Sequence, residues 1–237
     1  MNILYTFFAI GLIAIPLRYI FVGEIERSAV IATLLFLIFA VGLNRFIYQQ
    51  YRKDKHYVPA QNHDGFSVRL FDRVTTNTRP LYFNGQQIGS FHRFYKKRLH
   101  QFIESVVKNQ GAWHLQLQFA FDHNQTITIK ERKKDKTLQW EILENNQPVG
   151  LICLEKALSS LKHTRNQMYV DYHARTFVFE TALIGQDLQI RDGNQQIGKG
   201  FYQKSYTYQL ELNRDLATEV SYILFAAYIA FHFIHSK

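Results

Sequence analysis

The chain has 237 residues, enough for one domain of about 150 to 200 residues plus an appendage but too few for two full domains. Its net charge of +9 calls for an anionic partner, either a nucleic-acid backbone or the acidic inner leaflet of a membrane. Cys153 is the only cysteine, which excludes an intramolecular disulfide and a cysteine-based metal cluster; 20 Phe and 14 Tyr against 4 Pro favour packed strands over disorder.

From Ile3 to Val22 the sequence is apolar except for Thr6 and Arg18, and from Ala29 to Tyr48 it is apolar until Asn44 and Arg45. Both runs reach the ~20 residues that a spanning helix requires. A cleaved signal peptide is the rival for the first run, but the positive n-region is missing, since only Asn2 follows Met1. "GEIERS", Gly23 to Ser28, is all that separates the runs, which predicts a helical hairpin with both ends on one side. Pro16 would kink the first helix and Arg18 would extend toward the interface. Arg18 and Arg27 lie on the hairpin side, against Arg45, Arg52, Lys53 and Lys55 on the exit side, so the exit side is expected to face the cytoplasm. Residues 1–50 are thus expected to be a transmembrane hairpin of a multi-pass cell-membrane protein. Residues 51–65, rich in "RKDKHYVPAQNHDG", are expected to be a linker, and residues 66–237 a cytoplasmic domain.

Beyond the linker the pattern turns to alternation. In "HLQLQFAF" Leu115, Leu117, Phe119 and Phe121 fall on one face, the signature of a strand with a buried side. "TITIK", "LQWEIL", "YVDYH", "FVFE", "LQIRD" and "YTYQLEL" repeat it, so the domain is sheet-rich. "RLHQFIESVVKNQG" breaks the pattern. Leu99, Phe102, Ile103, Val106 and Val107 follow helical spacing and Gly111 supplies a stop, which predicts an amphipathic helix packed on the sheet, with a helix lying on a membrane surface as the rival.

Three segments resemble one another: "LYFNGQQIGSF" from Leu81, "WEILENNQPVGLI" from Trp140 and "LQIRDGNQQIGKGF" from Leu188. Each is an apolar strand, a turn, a Gln, and a return strand carrying Ile-Gly or Val-Gly. Asn84-Gly85 and Asp192-Gly193 are hairpin signals because these residues accept positive φ. Gly89, Gly150 and Gly198 then stand early in the return strands, where a bulge or a close backbone contact would account for them. The spacing, 61 residues from Ile88 to Val149 and 48 from Val149 to Ile197, is too uneven for a solenoid or propeller.

The chain closes on "LATEVSYILFAAYIAFHFIH", apolar on all sides. Such a helix has two homes, a bilayer or the centre of a domain. Tyr228 would lie near mid-bilayer in a span, whereas interfacial belts suit tyrosine, which favours a core. In that arrangement a central helix over 216–234 offers Val220, Ile223, Leu224, Ala227 and Phe231 to strand faces on all sides.

Hairpins of this form followed by one wholly apolar terminal helix resemble the tubby C-terminal-like superfamily, which includes the LURP-one-related proteins and the phospholipid scramblases. The resemblance covers roughly Phe66 to Ile234. It implies an α+β fold: after the two-helix transmembrane hairpin, a closed twelve-stranded antiparallel β-barrel enclosing the C-terminal helix. Members of that superfamily are associated with phosphoinositide binding, with lipid movement at membranes or with no assigned activity, and no phosphoinositide signature matches here position by position. The membrane hairpin departs from the tubby proteins themselves and argues against release from the membrane.

No Gly-rich phosphate loop, HExxH or G-x-S-x-G occurs, and the ten histidines lack zinc-ligand spacing, so no cofactor or metal is expected. His232 and His235 fit helix-end polarity, and Asp171 and His173 alternate onto one strand face without a nucleophile. Two basic runs remain. "HRFYKKR" carries Arg93, Lys96, Lys97 and Arg98, and "KERKKDK" carries Lys130, Arg132, Lys133, Lys134 and Lys136. The second lies between "TITI" and "LQW", so its bland explanation is a solvated hairpin tip; the functional one is contact with anionic lipid, worth ~1 kcal/mol per cation near the inner leaflet. Nucleic acid is the weaker candidate, because no recognition motif accompanies the cations. The expected function is a tethered, non-enzymatic module that binds anionic phospholipid or a membrane-protein partner. The alternatives are a lipid-acting enzyme or scramblase-like accessory, and a three-span protein whose last helix crosses the bilayer.

Overall fold

In the computed structural model, which describes residues 3–59, 64–106, 114–134, 137–154, 165–182 and 187–235, the chain divides into two compact units, Met1–Lys53 and Asp54–Lys237. The first unit holds helix α1 (Ile3–Val22) and most of helix α2 (Arg27–Lys55). Both are long and apolar enough to cross a membrane, and most of their large apolar side chains are exposed. Small residues and hydrogen bonds set their contact. A side chain at Gly11 would strike Thr33, Asn44 Nδ2 donates to the Tyr5 hydroxyl at 3.0 Å, and the Phe7 and Phe36 rings stack at 5.6 Å. Arg18 reaches Glu26 in the connection at 2.5 Å.

α2 continues through Lys55, so the first five residues of the expected linker are helical. The cause is a set of side-chain partners for its last turn. Asp54 is buried against Arg69 and Arg79, and just beyond the helix the Tyr57 ring packs edge-on against Tyr82 at 5.8 Å.

In the second unit the alternating segments form β1 (Phe66–Arg69), β2 (Arg79–Phe83), β3 (Gln86–Arg93), β4 (Gln116–Phe121), β5 (Thr126–Lys134) and β6 (Thr137–Glu144). They continue as β7 (Gln147–Leu154), β8 (Arg165–Tyr172), β9 (Arg175–Ala182), β10 (Leu188–Asp192), β11 (Gln195–Gln203) and β12 (Thr207–Leu212). Helix α3 (Arg98–Val106) lies between β3 and β4, and α4 (Thr218–Ile234) follows β12; Val107 and Gly111, expected at the end of α3, lie outside the described residues. Every strand pairs antiparallel with its sequence neighbours, and β1 pairs with β12 as well as β2, so the sheet closes into a barrel without edges.

The three similar segments become β2–β3, β6–β7 and β10–β11, spaced four strands apart around the barrel. Each pairs a large apolar residue with the glycine: Leu81 with Gly89, Ile142 with Gly150, Ile190 with Gly198. The register slips immediately after that pair in all three, one bulge per hairpin. The bulge pushes the glycine against the next strand, where an added side chain would meet the carbonyl of Ala120, Asp171 or Glu211. In two units the turn asparagine also ties the preceding strand. Asn84 accepts from the Gly65 amide at 2.7 Å, and Asn145 accepts from the Thr126 amide at 3.0 Å. The third turn is centred on Gly193 and Asn194, one residue later than Asp192-Gly193 predicts, and Asp192 ends β10 paired to Arg175.

Leu115, Leu117, Phe119 and Phe121 are all buried, as their alternation predicts. They share one cluster with residues from every strand and with α4, in which Ile223 to Phe231 and Phe233 are buried. Val220 is half-buried, and the helix begins at Thr218 because the Leu216 amide closes a turn on the Asn213 carbonyl. Contacts of α4 fall on many strands. Phe225 lies 4.7 Å from Phe66 of β1, Tyr222 stacks on Phe121 of β4 at 4.3 Å, and Phe231 stands 6.4 Å from Phe179 of β9. The Tyr228 hydroxyl bonds to the carbonyls of Gln209 at 2.8 Å and Phe201 at 3.2 Å, and Gly200 leaves room for the Tyr228 ring.

Candidate functional site

Antiparallel alternation gives the barrel two unlike ends. Tight turns at 84–85, 145–146, 173–174 and 193–194 gather at one, the turn end. The other, the loop end, gathers the β1–β2 connection, α3, the tip of β5–β6, the β11–β12 connection and the last turn of α4. Both basic runs of the sequence reach the loop end.

Lys96, Lys97 and Arg98 are exposed just ahead of and at the start of α3, and Arg132 is exposed on β5. The two basic runs, remote in sequence, meet through three intervening residues. His100 of α3 stacks on His114 with centroids 3.7 Å apart, and His114 Nδ1 lies 3.4 Å from Glu131 Oε2, next to Arg132. Lys130 is paired with Glu141 at 3.1 Å, so part of its charge is satisfied within the sheet. Lys133 and Lys134 end β5, with side chains outside the described residues, as is all of Lys136.

Arg93 corrects the sequence expectation. It is fully buried, paired with Glu104, and donates to the Arg73 carbonyl at 2.6 Å, with its guanidinium 4.7 Å from the Tyr95 ring and 5.7 Å from Phe233. It therefore holds α3 to the barrel and has no face for a lipid. Glu104 also accepts from the Tyr95 hydroxyl at 3.1 Å, and desolvation pushes its carboxyl up to about 7 against the opposing pull of Arg93. This buried pair carries the docking of α3. Leu99, expected on the packed face, is instead 60% exposed.

A second buried cluster lies where the chain joins the barrel. Asp54 pairs with Arg69 and, at 3.4 Å, with Arg79, and accepts from the Phe71 amide at 3.2 Å. Arg69 Nε donates to the Ser205 carbonyl at 3.0 Å, and Arg79 reaches Thr75 Oγ1 at 3.0 Å. Nothing in the local sequence marks Asp54, because its partners are 15 and 25 residues away across a polar stretch.

At the end of α4, the His232 ring sits between Tyr208 at 4.2 Å and Tyr228 at 4.5 Å, while Arg73 donates to the Tyr208 hydroxyl at 2.9 Å. Burial, with Arg73 and His235 adding to it, holds His232 well below the usual imidazole range; burial alone takes His235 down to about 4. Both are neutral near pH 7. Among the described residues no group of His, Cys, Asp or Glu has a metal-binding arrangement.

Asp171 and His173 do not share a strand face. β8 ends at Tyr172, His173 adopts φ +51° in the turn with its ring 4.3 Å from Tyr172, and Asp171 accepts from Thr176 Oγ1 at 2.7 Å. Compared with known proteins, the chain matches no family model, no curated protein and no solved structure.

Proposed function

We propose that this chain is a membrane-tethered tubby-like module whose barrel, wrapped around α4, binds anionic lipid or a membrane-protein partner from the cytoplasmic side without transforming it. The observation that carries this reading is the coincidence, at one end of the barrel, of the exposed cations Lys96, Lys97, Arg98 and Arg132 with Asp54, where the chain arrives directly from an apolar helix. The apolar run of α2 gives out at Asn44 and Arg45, nine or ten residues before Asp54 in the sequence. A membrane anchor on the same chain would hold these cations at high effective concentration near an anionic leaflet, so weak individual contacts suffice. The barrel-and-helix expectation draws support from the strand closure and from the burial of α4; a lipid-acting enzyme draws none from Asp171 and His173.

The test uses the whole chain reconstituted in vesicles with the barrel outside. Trypsin cleavage after Lys96, Lys97 and Arg98 should slow in vesicles containing phosphatidylserine relative to phosphatidylcholine alone, and added salt should abolish the difference. Equal cleavage in both would remove the lipid version and leave a protein partner, to be sought by crosslinking in native membranes.

A further inference from the structure

Among the described residues of the second unit, large apolar side chains left in water are few: Val58, Phe83, Leu99, Leu138 and Tyr206. Three of them, Leu99, Leu138 and Tyr206, stand at the loop end, on α3, β6 and the β11–β12 connection. Leu99 follows Arg98 directly, and Leu138 pairs in register with Lys133, one residue from Arg132. Glu131, next to Arg132 on β5, lies 3.4 Å from His114, and Glu141 on the adjacent strand β6 is paired with Lys130. Tyr206 is displayed at a conformational cost: Ser205 and Tyr206 both take left-handed φ, +71° and +65°. Arg69 on the Ser205 carbonyl and the Leu70 amide on the Tyr206 carbonyl hold them there. Solvated apolar tips interleaved with exposed positive charge suit neither water nor a polar protein rim. They suit the boundary of a bilayer, where apolar groups sink below the headgroups, tyrosine settles among them and cations stay on the phosphates.

We propose that the loop end seats on an anionic lipid leaflet, with Leu99, Leu138 and Tyr206 entering the boundary between headgroups and acyl chains while Lys96, Lys97, Arg98 and Arg132 contact lipid phosphates. This deepens the lipid reading above and rests on it. The barrel then stands upright on the membrane, turn end outermost.

The experiment places a fluorophore at Leu99→Cys, Leu138→Cys or, as the distant control, Asn194→Cys, each in full-length Cys153→Ser protein. The proteins are reconstituted in phosphatidylcholine vesicles with or without phosphatidylserine, and quenching by a lipid carrying a nitroxide at the headgroup–acyl boundary is measured. The fluorophores at 99 and 138 should be quenched in the anionic vesicles and much less in the neutral ones, and the one at 194 in neither. Absence of quenching at 99 and 138 in anionic vesicles overturns the seating. If trypsin protection at Lys96 to Arg98 nevertheless persists there, cationic contact stands and only insertion falls; if protection is absent too, the lipid reading falls with it. Quenching at 194 equal to that at 99 would also overturn the upright arrangement.

Discussion

α4 and the α1–α2 pair are built from similar residues and meet opposite surroundings. In α1 the apolar side chains Ile10, Ile13, Ile20 and Phe21 are more than half exposed; in α4 every residue from Ile223 to Phe231 is buried. Composition does not separate them, because both are apolar on every side. What separates them is the polar minority. α4 places the Tyr228 hydroxyl on two strand carbonyls and three alanines, Ala226, Ala227 and Ala230, against a crowded wall, so it is shaped for one set of neighbours. α1 and α2 join one polar pair to each other, Asn44 on Tyr5, and leave most of their large apolar side chains exposed. An apolar helix made for a fluid solvent needs no such matching; one made for a packed interior does.

The sharpest way to break this contrast is to put one charge in each helix. Phe225→Lys should cost about 3–5 kcal/mol and unfold the barrel, since the ammonium would be buried without a partner. Phe39→Lys, at a position 64% exposed on α2, should leave the barrel's thermal transition intact and impair membrane insertion by about 2.5–3.5 kcal/mol. Thermal melts and carbonate extraction read the two effects separately. Next in size is Gly150→Val. Its side chain would meet the Asp171 carbonyl, and overpacking there should lower stability by about 1–3 kcal/mol in a denaturant melt. Gly85→Ala, with open space around it, should cost only the left-handed backbone penalty of about 1–2 kcal/mol.

The pH dependence should separate α3 from α4. Glu104 is raised in the folded state, so its contribution is fully present below the unfolded value of 4.5 and is lost as pH rises toward about 7. His235 is depressed to about 4, so its contribution is present above 6.5 and is lost as pH falls toward 4. Glu104→Gln should therefore reduce the decline between pH 4.5 and 7 and leave the acid limb unchanged, while His235→Leu should make the acid limb shallower without abolishing it, because the depressed His232 contributes to the same limb. Tyr228→Phe should cost about 1 kcal/mol for its lost hydrogen bond. Smallest of all, Lys96→Gln with Lys97→Gln should move stability by less than about 0.5 kcal/mol. In vesicles the same pair should weaken retention on anionic lipid about fivefold per cation removed.

The parts legible in the sequence are those governed by local periodicity. Alternation in "HLQLQFAF" predicts β4 and its buried face, and the repeated Ile-Gly or Val-Gly predicts three bulged hairpins at the glycines where the register slips. The parts that were not legible depend on partners far along the chain. Asp54 looked like linker because Arg69 and Arg79 fold back onto it only once the barrel closes. Arg93 looked like its exposed neighbours Lys96 and Lys97, yet strand β3 turns it inward onto Glu104. Leu99 matched the apolar spacing of α3, but Glu104 and Arg93 fix the helix in an orientation that leaves it in water. Charge pairing across elements leaves no periodic trace.

The central claim is that α4 belongs to the barrel and does not cross a bilayer. It is tested most directly by comparing the two ends of that helix in cells, whatever the orientation of the hairpin. In a Cys153→Ser background, single cysteines at Arg214, exposed just before α4, and at position 236, just after it, are treated with a membrane-impermeant thiol reagent before and after permeabilisation. Both should share one response: protected in intact cells and reactive once the membrane is opened if the barrel is cytoplasmic, or reactive throughout if it faces outward. Labelling of one and protection of the other in intact cells would place the ends of α4 on opposite sides of the membrane and contradict the account.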